Sequence, residues 1–153
     1  MKFFRNRKEM YLRKQLENLN DIEPFSFDQS IFLAKVIKVI DGDSVNVIIK
    51  FNGKYASLKC RLYGIDTPET RSKDLHEKEV AEIVKNYVID EILDKVIWIK
   101  CYAFDNFGRT LIKIYHDHPD TSIISLNSTL VDLGYAYAYD GRKKKEFSEW
   151  CKI

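Results

Sequence analysis

No Cys-x-x-Cys pair occurs in the 153 residues. The three cysteines, Cys60, Cys101 and Cys151, lie far apart and are odd in number, which argues against a zinc site and against a disulfide framework. Cys60 and Cys101 fall in strand-like runs and read as small core residues. Charge of one sign is also missing: 25 Lys+Arg face 23 Asp+Glu, for a net charge of +2. Affinity for phosphate would have to come from local placement, not from bulk charge. No run approaches membrane-spanning length, and the N-terminus, MKFFRNRKEMYLRKQLENLN, has no apolar stretch of the signal-peptide kind. The chain therefore reads as intracellular and without a membrane partner, a processed precursor being the exception. No internal repeat or flexible linker divides it.

What is present suits one globular domain. The hydrophobic share is 45% and the aromatic share 13%, and a chain of this length can bury a core without disulfides or metal. Residues 1–30 read as a charged arm, helical or partly disordered, and basic at first through Lys2, Arg5, Arg7, Lys8, Arg13 and Lys14. A solvated helix and an auxiliary nucleic-acid or membrane-surface arm both fit it. From Ile31 the pattern changes to strands. IFLAKVIKVI, VNVIIKF and KYASLKCRLYG meander through DGDS and the Asn52-Gly53 hairpin turn. VIWIKCY and RTLIKIYH follow, joined by AFDNFG.

Between the third and fourth strands, Val80, Val84, Tyr87, Val88 and Ile92 recur at helical spacing over about 74–93. Asp74 and Glu77 resemble a capping pair at its start. SLNSTLVDLG predicts a short helix stopped by Gly134, and GRKKKEFSEWC a last helix with a basic start. Five strands with a helix inserted after the third predict an α+β, mainly β fold. The expected architecture is a five-stranded Greek-key barrel of the OB type with about three helices, over residues 31–153.

Three polar clusters interrupt the strands. Asp41-Gly42-Asp43-Ser44 has turn composition, and alone it needs no other explanation. Arg61, then Asp66, Thr67, Pro68 and Glu69, end the third strand, with Pro68 restricting Thr67 to an extended conformation. Alternation of Leu58, Cys60 and Leu62 turns Arg61 to the other face, or into the barrel mouth. Asp105-Asn106-Phe107-Gly108-Arg109 is a turn that presents an arginine. Carboxylates of this kind bind hard cations such as Ca²⁺, and arginine forks bind phosphate oxygens bidentately. Together they suit phosphodiester hydrolysis, in which a metal polarises the phosphate and arginines stabilise charge on its oxygens.

The order D-G-D-S-V, R-L-Y-G-I-D-T-P-E-T and D-N-F-G-R is similar to that of the staphylococcal nuclease (thermonuclease) family, over roughly Ala34 to Tyr139. The resemblance implies a Ca²⁺-dependent, sugar-nonspecific endonuclease that hydrolyses DNA and RNA and leaves 3′-phosphate ends. Single strands are the expected preference and a monomer the expected state. By position, Asp43 and Asp66 would be metal carboxylates, Thr67 a ligand through its backbone carbonyl, and Asp41 an acid behind them. Glu69 would orient or deprotonate the attacking water, with the choice between these open. Arg61 and Arg109 would clamp the phosphate, Arg109 nearer the leaving 5′ oxygen. The alternative is a catalytically idle module of this fold that binds nucleic acid. Degenerate copies of that kind usually lose the carboxylates or arginines, and this chain keeps them all.

The sequence also departs from the family's pattern. Phe107 stands where the archetype has tyrosine, and Asn106 replaces a lysine, changes expected to weaken substrate binding rather than chemistry. The loop RSKDLHEKE is shorter than the archetype's and lacks its glycine. Tyr135, Tyr137 and Tyr139 alternate on one face of an extended segment. Phe107, Tyr137 and Tyr139 are the candidate substrate contacts, Tyr139 first, and core packing is an equal reading for each tyrosine. His116, Asp117, His118 and Asp120 read as a solvated loop in preference to a transition-metal site. The run Arg142 to Lys145 reads as a solvated helix start or as a patch that tracks a nucleic-acid backbone.

Overall fold

The computed structural model describes the backbone of residues 2–153 and the side chains of residues 7–153. Met1 and the side chains of the arm's first basic residues, Lys2 and Arg5, lie outside the described residues. Helix α1 (Lys2–Glu17) shows only exposed side chains from Arg7 onward. No helix among the described residues is long and apolar enough to cross a membrane.

Strands β1 (Ile31–Asp41), β2 (Ser44–Phe51) and β3 (Lys54–Leu62) form the expected meander. The two-residue β4 (Ile65–Asp66), helix α2 (Leu75–Ile92), β5 (Val96–Phe104) and β6 (Thr110–Tyr115) follow. The chain ends with α3 (Leu126–Asp132), β7 (Tyr137–Ala138) and α4 (Phe147–Trp150). The five long strands close into a barrel in the order β1-β2-β3-β6-β5. Antiparallel pairing of β5 with β1 and parallel pairing of β3 with β6 complete the ring. Alternate residues fill it: Val45, Val47 and Ile49 from β2, Ile97, Ile99 and Cys101 from β5, Ile112 and Ile114 from β6. Cys60 and Cys101 are free and buried, and burial pushes both thiols up to about 12, as befits inert core residues. Before β1, the buried Phe27 meets the rings of Phe25, Phe32 and Phe51 at 5.0–5.5 Å.

Helix α2 buries Val80, Ala81, Val84, Val88 and Ile92. Tyr87, expected in that stripe, is only half-buried, with its ring 5.3 Å from that of Tyr135. Asp74 caps the helix by accepting the His76 and Glu77 N–H groups, at 2.8 and 3.2 Å. The expected reciprocal partner behaves differently. Glu77 Oε1 accepts the N–H of Glu69 at 3.1 Å, so a residue read as a cap anchors the loop that carries the third acid. The last helix is also shorter than predicted. Arg142 to Lys145 precede α4 and are not helical, because cations at a helix N-terminus oppose its dipole.

Asn127 joins α3 to the barrel. Its side chain is buried; Oδ1 accepts the Ile114 N–H at 3.2 Å, and Nδ2 donates to the carbonyls of Tyr63 and Ile112 at 2.9 and 3.1 Å. Replacing Asn127 with Ala leaves the buried Ile114 N–H without this acceptor, while the Ile112 carbonyl keeps the Tyr63 N–H at 2.7 Å, at a cost of about 1–3 kcal/mol. Urea unfolding should show that loss, whereas a loss below about 0.5 kcal/mol would mean that water replaces the amide.

Candidate active site

The turn between β1 and β2 is held tightly. The Leu62 N–H donates to the Asp43 carbonyl at 2.8 Å, tying the turn to β3. Gly42 packs so closely that a Cβ there would lie 2.8 Å from Val84 Cγ1 and 3.0 Å from Thr67 Oγ1. Only glycine lets this turn sit against α2 and the β4 loop. The β2–β3 register sets Ser44 opposite Arg61, which places both side chains on one face of the sheet. Cys60 and Leu62 point into the core, so Arg61 is directed out of it and beneath the loops.

There the Arg61 guanidinium, 11% exposed, lies between two carboxylates. Its Nη2 is 2.8 Å from Asp43 Oδ2 and 2.6 Å from Asp66 Oδ1, and Nη1 donates to the Ile65 carbonyl at 3.4 Å. Pairing of β4 with β7 sets Asp66 opposite Tyr137, and the Tyr137 hydroxyl donates to Asp66 Oδ2 at 3.1 Å. Tyr137 itself is buried, with its ring 4.9 Å from that of Trp150.

The third cluster joins the same network. Asp105 Oδ1 accepts the N–H groups of Phe107 and Arg109, and its Oδ2 accepts Arg109 Nε at 2.7 Å. Arg109 Nη1 donates to Ser44 Oγ at 3.1 Å, and Ser44 Oγ donates to Asp43 Oδ1 at 3.0 Å. Asp41 Oδ1 accepts the N–H of Asp43 at 3.4 Å. Lys144 Nζ reaches Glu69 Oε1 at 2.5 Å and Asp66 Oδ1 at 3.0 Å. A continuous chain of polar contacts thus runs from Asp105 to Glu69.

Electrostatics follows from the burial. Desolvation raises the carboxyl of Asp43 well above its ordinary range; Arg61 opposes this, and the charges of Asp41 and Asp66 add to it. Burial works against the charge on Arg61, yet Asp43 and Asp66 prevail and its pKa rises. Lys144 is raised for the same reason, Glu69 and Asp66 outweighing its burial. At Asp105, burial is outweighed by the Arg109 and Phe107 hydrogen bonds, which lower its pKa.

An open cleft of about 1180 Å³ lies over this network, lined among others by Asp43, Arg61, Glu69, Arg109, Tyr139 and Lys144. Thr67 is buried beside it. Phe107 is 85% exposed at the rim, with the Arg109 guanidinium 5.7 Å from its ring centre. The Arg61 guanidinium lies 5.6 Å from the Tyr139 ring centre. Every sequence-predicted site residue except Asp66 lines the cleft, and Asp66 is buried beneath it. His116 and His118 do not line it; they face Glu91 and Asp120, at 3.4 and 3.6 Å. Among the described residues, no three His, Cys, Asp or Glu side chains could hold a metal together.

Sequence reasoning missed Glu77, the bracing role of Asp105, and the pairing of Lys144. Asp105 had a local signal, since an acid four residues before an arginine in a turn can fold back on it. Lys144 was singled out only within the Arg142–Lys145 run, and its pairing with Glu69, 75 residues away, had no local signal.

A small closed barrel with an acid-and-arginine cleft at its strand ends defines the class. Residues 59–151 match the sequence model of the staphylococcal nuclease homologue family, and the chain belongs to that family. The matched span holds Arg61, Asp66, Glu69 and Arg109; the Asp41–Ser44 turn lies before it and joins the site through the geometry above. An uncharacterized protein of Methanocaldococcus jannaschii is 29% identical over 143 residues, covering 78% of this chain and 65% of that protein. The endonuclease Htp3 of Saprolegnia parasitica is 26% identical over 138 residues, covering 82% of this chain and 65% of the endonuclease. The chain thus spans 65% of the length of each of these curated relatives.

The lowered pKa of Asp105 gives the bracing of Arg109 a pH signature. Its contribution to stability is complete above the ordinary carboxyl value of 3.8 and is lost as pH falls through the lower folded value. Asp105→Asn should therefore cost about 1–2 kcal/mol at neutral pH and progressively less below about pH 4. Thermal melts of the two proteins from pH 7 to pH 3 should converge; a gap that stays constant with pH would show that the charge of Asp105 contributes nothing.

Proposed function

We propose that this protein hydrolyses nucleic-acid phosphodiester bonds, as a Ca²⁺-dependent endonuclease acting on DNA and RNA, with single strands preferred and 3′-phosphate ends produced. The observation that carries this reading is the convergence of Arg61, Arg109, Asp43, Asp66 and Glu69 on one cleft through one hydrogen-bond network. Family membership and the relative named an endonuclease support it. The proposed unit is residues 31–153, acting as a monomer in an intracellular setting, with residues 1–30 an appended arm.

The donor set fits a hard divalent cation. Asp43 and Asp66 meet at one guanidinium nitrogen, and burial leaves the charge of Asp43 incompletely compensated. Both are oxygen donors of the kind Ca²⁺ prefers. Asp43, Asp66 and the backbone carbonyl of Thr67 would hold the ion, with water completing its shell. When bound, such an ion polarises the phosphate and orders water beside it.

The remaining work falls to this chain's own groups. Arg61 and Arg109 are fixed before substrate arrives, Arg61 by two carboxylates and Arg109 by Asp105 and Ser44. Donors fixed in this way stabilise charge that builds on phosphate oxygens without reorganising at the moment of reaction. Glu69 stands exposed at the cleft wall, where it can orient or deprotonate the attacking water. Asp41 steadies the turn behind Asp43, and Tyr137 fixes the rotamer of Asp66. Phe107 and Tyr139 offer ring faces for a base or sugar, worth about 1–3 kcal/mol per stacked base.

The test is cleavage of single-stranded DNA and RNA with Ca²⁺, with EDTA, and with Arg109→Lys. Native protein should cut with Ca²⁺ and stop in EDTA. Arg109→Lys keeps the charge but loses the planar fork, so kcat should fall by two to three orders of magnitude, on the order of 3–4 kcal/mol, with little change in Ca²⁺ affinity. Protein that binds DNA but is inert with every divalent metal would instead be a binding module.

A further inference from the structure

Both oxygens of Asp66 are engaged without any metal. Its Oδ1 accepts from Arg61 Nη2 at 2.6 Å and from Lys144 Nζ at 3.0 Å, and its Oδ2 accepts from the Tyr137 hydroxyl at 3.1 Å. Lys144 also closes on Glu69 Oε1 at 2.5 Å. A divalent cation cannot share Asp66 Oδ1 with two monovalent cations without strong repulsion. Of the two, Arg61 projects from a barrel strand and is buried. Lys144 comes from the irregular stretch between β7 and α4, and its side chain is 48% exposed. An ammonium on a flexible four-carbon stem is the group that can leave.

Anchoring the C-terminal segment does not require this contact. The Lys145 N–H already donates to the Tyr137 hydroxyl at 3.0 Å, and the Lys145 ammonium lies 5.3 Å from that ring's centre. Trp150 packs on the same residue, with its ring 4.9 Å from Tyr137. The Lys144 contacts are therefore not explained by tethering.

We propose that Lys144 is a built-in counter-ion of Asp66 and Glu69 that a divalent cation has to displace, so that cation binding releases the ammonium and frees Glu69. The proposal rests on the reading of Asp66 as a metal ligand. In the cation-free protein the ammonium holds the very carboxylate assigned to the attacking water, and the site is idle. Arrival of the cation removes that restraint. Lys144 thus lowers cation affinity and ties readiness of Glu69 to cation occupancy.

Calcium titration by calorimetry of the full chain tests this directly, with native protein, Lys144→Ala and Lys143→Ala. Lys143 lines the same cleft and has no ion-pair partner among the described residues, so it reports the effect of charge alone. Lys144→Ala should bind Ca²⁺ about 3- to 10-fold tighter, because two ion pairs no longer compete, and Lys143→Ala should change affinity less than about 2-fold. Equal affinity in native protein and Lys144→Ala would overturn the proposal and leave the metal reading standing. No Ca²⁺ binding by any of the three would overturn both. Amine footprinting of native protein avoids mutation: Ca²⁺ should raise the acylation rate of Lys144 severalfold relative to Lys143, and an unchanged ratio would overturn the proposal.

Discussion

Two carboxylates, Asp43 and Asp66, are buried against one guanidinium, and that arrangement constrains everything around it. Charges removed from water are tolerated only when paired with good geometry. Arg61 supplies the pairing from the end of a barrel strand, where the β2–β3 register fixes its face and neighbouring Cys60 and Leu62 fill the core. The short β4–β7 ladder then presents Tyr137 to the remaining oxygen of Asp66. Burial raises the pKa of Asp43, the charges of Asp41 and Asp66 add to it, and the one guanidinium between the two acids leaves a deficit that it does not offset. The barrel thus holds a site that is sterically complete and electrostatically unfinished.

That deficit accounts for the long reach of the surrounding network. Ser44 links Asp43 to Arg109, whose orientation is set by Asp105. On the other side Lys144 adds positive charge at Asp66 and Glu69. Both arginines are braced by acids on the protein side and line the cleft. Such bracing holds a planar fork in one orientation at little entropic cost when substrate binds.

Local signals explain what was legible in the sequence. The strands of β1 to β3, the Asn52-Gly53 turn and the face of α2 follow from period, propensity and turn chemistry acting over a few residues. The three polar clusters were legible because each is contiguous. What pairs with what was not. Glu77 carries a cap pattern, but the loop above it offers an unpaired Glu69 N–H, and that contact prevails. Tyr137 and Tyr139 share a face by alternation; a ladder only two residues long decides that Tyr137 meets Asp66 while Tyr139 lies beside Arg61. The basic run before α4 reads locally as a helix start, and the Glu69 and Asp66 carboxylates instead draw Lys144 into the cleft.

The cleft's walls divide their charge unevenly. Its β5–β6 side offers Asn106 and Phe107, neither of them positive, beside a single arginine. The stretch from 140 to 145 lines the same space with Lys143, Lys144 and Lys145. Three of the cleft's five cationic side chains thus come from a segment outside the barrel, and one of these lysines is engaged with the acids of the site. A cation that releases Lys144 gives the cleft one more free ammonium. Linkage is reciprocal: whatever the cation adds to polyanion affinity, the polyanion must add to cation affinity. Under the proposed displacement, the cleft would therefore favour cation and polyanion together over either alone.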